Sequence, residues 1–161
     1  MNNIKFAIEM ELDGEKYYRE QGEINKNNGL YTVCLLLADE EKTHAQILTG
    51  YLNKSPRQLV ETDTLLKAEN VFEGMGDIQF EGAEKAGQLD FYRRATEKEK
   101  QSIDLYKKYS LQAEDDKEKE LFEFLISQEE KHFKLLEELN TLLMHAEEWV
   151  ENAEFGIREK Y

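Results

Sequence analysis

Six side chains in this sequence have chemistry that an ordinary helical core would avoid. Glu41 is followed three residues later by His44, and Glu129 is followed in the same way by His132. Glu11 and Glu99 each stand thirty positions before those glutamates, and each is followed seven residues later by a tyrosine, Tyr18 and Tyr106. Every member of the second set lies 88 positions after its counterpart in the first. On a helix, Glu and His three apart share one face and reach one point. Four carboxylates and two imidazoles meeting in a core are costly if left bare, and cations remove that cost. Mixed oxygen and nitrogen donors suit iron or manganese better than magnesium or calcium. Six ligands suit two ions, each with one His and one terminal Glu, with two further Glu shared as bridges.

The elements that must position these residues are long helices. Pro56 is the only proline, and Glu, Lys, Leu and Ala dominate the composition. Apolar residues recur at helical spacing over residues 3–25, with Ile4, Ile8, Glu11, Glu15 and Tyr18 on one face. A second helix is read over 30–53, aligning Val33, Leu37, Glu41, His44, Leu48 and Tyr51. Asp90 is read as the N-cap of a third, which continues to about Leu111. A fourth begins near Asp116 and turns Leu121, Leu125, Glu129, His132, Leu136 and Leu139 inward. Short turns at 25–29 and 113–116 make two antiparallel hairpins, over about 3–53 and 90–145. The midpoint of Glu11 and Glu41 falls in the first turn, and that of Glu99 and Glu129 in the second. All four glutamates should therefore lie at one height. The connection 54–89 reads as a crossover with its own short helix near 63–73. The tail 146–161, with Trp149, Phe155 and Tyr161, reads as a short extra segment. The expected architecture is all-α: one domain over 1–161, a four-helix bundle of two hairpins joined by a long crossover.

Composition limits the function classes. The chain has 161 residues, 35 acidic and 21 basic, for a net charge of −14. That balance argues against nucleic acid or an anionic membrane as the partner. The single cysteine, Cys34, excludes an internal disulfide and any Cys-x-x-Cys metal knuckle, and it fits a reducing cytosol. The first residues lack the build of a signal peptide, and no run approaches the ~18 apolar residues of a membrane span. A cytoplasmic location is the expectation. The 40% apolar and 11% aromatic content is too high for a disordered chain.

Three segments then carry a resemblance. Residues 7–18 (AIEMELDGEKYY), 39–45 (DEEKTHA) and 128–132 (QEEKH) resemble the rubrerythrin branch of the ferritin-like superfamily. The resemblance covers all four helices and the order of the motifs. It implies a ferritin-like bundle and a cofactor of two iron ions, with manganese or a mixed pair also accepted by such ligands. It implies Glu11 and Glu99 as terminal ligands, Glu41 and Glu129 as bridges, and His44 and His132 as one nitrogen ligand per ion. Tyr18 and Tyr106 match tyrosines that hydrogen-bond ligand carboxylates. The implied activity is reduction of hydrogen peroxide or dioxygen, cycling between diferrous and diferric states, with these six metal ligands as the catalytic residues. Electrons would come from an external donor such as a rubredoxin, and a homodimer is the implied assembly. Two departures stand out. One Cys cannot supply the four of a rubredoxin-type iron site. Rubrerythrins also carry an extra Glu one turn past the third-helix ligand, where this chain has Gln101 and Ser102. That removes the residue a redox-linked exchange between His and Glu would use.

Neighbouring residues receive plainer readings. Glu15 reads as a solvated or hydrogen-bonded carboxylate. Glu9, Glu40, Glu97 and Glu130 sit beside the site residues at angles that turn them away. His145 has Leu142 three before it and reads as surface, and Cys34 reads as a small core residue. Two alternatives to the oxidoreductase are a ferritin-like ferroxidase or iron-handling protein, and a non-enzymatic metal-binding bundle.

Overall fold

The structure is a computed structural model that describes residues 2–27, 29–75 and 82–158. Side chains from residue 143 onward lie outside the described ones, so nothing is placed for His145, Trp149 and Phe155, and Tyr161 lies outside entirely. Five helices follow in order: α1 (Asn2–Ile24), α2 (Leu30–Leu52), α3 (Thr64–Met75), α4 (Gly82–Leu111) and α5 (Asp116–Arg158). Among the described residues all regular structure is helical, and no helix is long and apolar enough to cross a membrane. α1 packs along α2 and α4 along α5, the two expected hairpins. α3 lies in the crossover and packs across α2 and α5.

Helix ends show how local sequence sets the frame. Asp115 caps α5: its Oδ1 accepts the Glu118 N–H at 2.8 Å. Glu118 in turn reaches back to accept the Glu114 N–H at 3.0 Å. α2 ends in a Schellman turn. Lys54 adopts a left-handed φ of 57°, its N–H reaching Tyr51 O at 3.2 Å, and the Ser55 N–H reaches Gly50 O at 2.8 Å. The returning chain passes so close that a Cβ on Gly50 would sit 2.8 Å from Ser55 O. Glycine here lets the crossover fold back over α2 before Pro56 directs it away.

Two helix boundaries differ from the sequence reading. α4 begins at Gly82, not at Asp90. Asp90 is interior and pairs with Arg94 one turn on, at 3.1 Å. An acidic residue ahead of an apolar stripe can serve as a cap or as an exposed ion-pair partner. Here the helix formers of residues 83–89 continue the helix backward, so the second role wins. Residues 146–158 likewise form no separate segment. α5 runs unbroken to Arg158, because no proline follows its start and the first glycine after it is Gly156.

The core is split in two. One apolar cluster holds Tyr18, Leu37, Phe91, Ala95, Leu136 and Leu139, and α3 adds Ala68 to it. The other holds Ile4, Ala7, Leu48, Tyr106, Phe122 and Leu125. On every bundle helix the gap between the clusters is where the charged residues fall: Glu11, Glu41 with His44, Glu99, and Glu129 with His132. A buried polar layer is thus held between two apolar caps.

Two glycine replacements test this frame. Gly87→Ala, with nothing within 4 Å of its Cβ, is expected to stabilise the fold by about 0.5–1 kcal/mol. Gly50→Ala makes the same helix-propensity change but is expected to cost about 1–3 kcal/mol, because the crossover must move. Urea unfolding of both variants reads the opposite signs.

Candidate metal centre

The structure brings together all six of the residues singled out by spacing. Glu11, Glu41, His44, Glu99, Glu129 and His132 are each at most 5% exposed. Each imidazole turns Nδ1 to the centre. His44 Nδ1 lies 3.1 Å from Glu129 Oε1 and 3.5 Å from Glu11 Oε2. His132 Nδ1 lies 3.4 Å from Glu41 Oε1, 3.4 Å from Glu129 Oε2 and 3.6 Å from Glu99 Oε1. The two rings are nearly parallel, at 14°, with centroids 5.5 Å apart. The residues form two overlapping groups, Glu11–Glu41–His44–Glu129 and Glu41–Glu99–Glu129–His132. Within each, one ligand atom per residue lies within 4.8 Å of the others. Either group could hold a metal ion, and Glu41 and Glu129 are common to both.

The tyrosines tie the two hairpins together. Tyr18 on α1 donates its hydroxyl to Glu99 on α4 at 2.5 Å. Tyr106 on α4 donates to Glu11 on α1. The exchange is reciprocal, as the repeat requires. Burial and the facing carboxylates push both phenols well above their usual 10, so they remain donors. Gly14 gives Glu41 its space, since a Cβ there would lie 2.8 Å from Glu41 Oε2. Its repeat counterpart is Ser102, which points to Met10 Sδ at 3.7 Å.

Electrostatics divide the carboxylates into two kinds. Burial raises the Glu11 pKa, but the His44 charge, contacts with Glu41 and His44, and the Tyr106 hydroxyl outweigh it and hold it at about 2. Glu99 is raised by burial too, yet is lowered overall by Glu129, His132 and Tyr18. Glu41 and Glu129 go the other way. Burial, with the charges of Glu11 and Glu99 among those around them, pushes both well above the carboxylate range. Burial lowers both histidines, but Glu11 beside His44 and Glu99 beside His132 leave them raised above 6.5. Without cations, then, protons collect on the two central glutamates and the two imidazoles. Even so, Glu11 Oε2, Glu41 Oε1, Glu129 Oε2 and His132 Nδ1 make no hydrogen bond, only ion-pair contacts of 3.4–3.6 Å within the cluster. Buried polar atoms are rarely left so, and four in one centre mark a place built to receive something.

The family model for rubrerythrin matches residues 2–140 of the chain. The chain belongs to the rubrerythrin family. No curated protein and no solved structure matches it. The family match runs from α1 into α5 and takes in every residue of the rubrerythrin-like centre described above.

One functional neighbour was misread from sequence. Glu40 does not turn away: it is 4% exposed, and its Oε2 lies 3.8 Å from His44 Nε2. With His44 and His132 it forms a third potential ligand group. The signal was present in the four-residue spacing between Glu40 and His44, which places one behind the other on a helix. Glu9, Glu15, Glu97, Glu130 and Cys34 agree with the sequence reading, and His145 lies outside the described side chains. Glu9, Glu97 and Glu130 are exposed. Glu15 pairs with Arg19 at 3.1 Å. Cys34 is buried and free, and burial pushes its thiol up to about 12.

Tyr106→Phe removes the hydroxyl that stabilises ionised Glu11. The metal-free variant should lose about 1–3 kcal/mol in urea unfolding, and the Glu11 carboxyl should titrate above its value of about 2 by NMR.

Proposed function

We propose that this chain is a non-haem di-iron oxidoreductase of the rubrerythrin type, which reduces hydrogen peroxide or dioxygen with electrons from an external donor. One observation carries the reading: two overlapping Glu–His groups share Glu41 and Glu129 and leave four buried ligand atoms without a hydrogen bond. The donor set fits two ions. Glu11 and His44 would hold one, Glu99 and His132 the other, and Glu41 and Glu129 would reach both. Four carboxylates then balance two divalent charges. When bound, a pair of redox-active ions supplies the two electrons that split an O–O bond.

The chain's own residues supply the setting. Tyr18 and Tyr106 fix the outer carboxylates by hydrogen bonds that cross between the hairpins. Glu41 and Glu129 accept these ions only by giving up protons, since burial otherwise holds them protonated. The apolar clusters on either side exclude bulk water and keep local interactions strong. Each peroxide reduced consumes two electrons and two protons and yields two waters. A donor protein such as a rubredoxin would return the electrons. A homodimer is the proposed assembly.

Metal analysis should find two iron ions per chain, and one zinc or none would overturn the reading. Peroxide mixed with the anaerobic, Fe(II)-loaded protein should oxidise it faster than free Fe(II). Oxidation no faster than the free ion rules out the redox role. Gel filtration at the size of a dimer supports it, whereas a large cage would favour iron storage.

Cation uptake must also release protons. The groups that carry them without metal, Glu41, Glu129, His44 and His132, all have raised pKa values. Affinity should therefore rise as pH rises from weakly acidic to weakly alkaline. Calorimetry of Zn²⁺ binding in buffers of different ionisation enthalpy measures the released protons directly.

A further inference from the structure

The 88-residue repeat breaks at one buried position beside the centre. Glu40 stands four residues before His44, while its counterpart, four before His132, is Gln128. Both are 4% exposed. Both line a cavity of about 310 Å³ between α2, residues 62–66 and α5. Glu40 Oε1 accepts hydrogen bonds from the Thr62 and Thr64 hydroxyls, which hold the carboxylate in place. Its other oxygen faces His44 Nε2 across 3.8 Å. That nitrogen is buried and has no hydrogen-bond partner, and the same is true of Gln128 Nε2.

Both imidazoles present Nδ1 to the centre, so a cation there puts the ring proton on Nε2. At His44 this N–H points at a carboxylate. The residue in the equivalent place beside His132 is a neutral amide. We infer that Glu40 is a positioning residue that makes the two cation positions unequal, the one built by Glu11 and His44 being the tighter. The inference rests on the di-metal reading above.

One physical effect separates the two positions. A carboxylate accepting the Nε2 proton fixes the tautomer and makes the coordinating nitrogen more basic. Its negative charge reaches both imidazoles, since Glu40 also lies within 4.8 Å of a His132 nitrogen, so the contact with His44 Nε2 carries the difference. The gap at His44 needs to shorten by less than about 1 Å to become a hydrogen bond. Groups that orient a ligating histidine typically change metal affinity by about 10–100-fold.

The test is a titration of the full metal-free chain with Co²⁺ alone, followed by its visible absorption and by calorimetry. The wild type should take two ions per chain in two steps, separated by about tenfold or more. Glu40→Gln should weaken the first step by about 10–100-fold, so that the two steps merge. Gln128→Glu should strengthen the second step. A Thr62→Val, Thr64→Val double variant keeps the carboxylate but frees it, and should weaken the first step in part. Thermal melting of each metal-free variant verifies folding, and Gln128→Glu decides the matter if Glu40→Gln does not fold. Equal steps in the wild type, or steps unmoved by these changes, would overturn the inference while leaving the di-metal reading intact. Failure of the wild type to bind two ions would overturn both.

Discussion

The structure depends on one electrostatic constraint. Four carboxylates and two imidazoles share a volume from which water is excluded. Ionised together and unpaired, such groups would cost more than a small domain's net stability. The protein meets this in graded ways. Glu11 and Glu99 keep their charge through the tyrosine hydroxyls and the adjacent imidazoles. Glu41 and Glu129, with no tyrosine donor, are driven toward the protonated form. Cations in place of those protons, as proposed above, would relieve that cost.

The remainder of the bundle follows from holding that layer still. Apolar clusters above and below anchor the same four helices, so each charged residue is fixed from both sides. The reciprocal bonds from Tyr18 to Glu99 and Tyr106 to Glu11 join hairpins whose contacts along α1 and α4 are otherwise sparse. Small residues serve the same end. Gly14 leaves room for the Glu41 carboxylate, and Gly50 lets the chain turn back toward the crossover that carries Thr62 and Thr64 to Glu40.

The symmetry of the centre is real but incomplete. Glutamates, histidines and tyrosines recur at a constant offset, and the structure places them about Glu41 and Glu129, which are common to both groups. The surrounding residues do not all obey that offset. Gly14 answers to Ser102, and Glu40 to Gln128. The crossover covers one outer face, packing α3 against α2 and α5. An internal repeat thus supplies two similar sites, and the asymmetric connection makes their outer surroundings differ.

The residues of the centre and the two-hairpin bundle were legible in the sequence, because a helix converts spacing into direction. A Glu–His pair three apart has to share a face, and residues equidistant from a tight turn have to lie level. Sequence was weaker at the ends of helices. Asp90 carried the chemistry of a cap, but favourable residues before it extended α4 back to Gly82. The tail held no breaker strong enough to end α5 before Arg158. The role of Glu40 needed the tertiary structure. Its distance from His44 along the helix was readable, yet its burial depends on Thr62 and Thr64, which arrive from a distant part of the chain. Periodicity within a helix decides which residues face one another. Only the packing of the connection decides which of the flanking charges are removed from water.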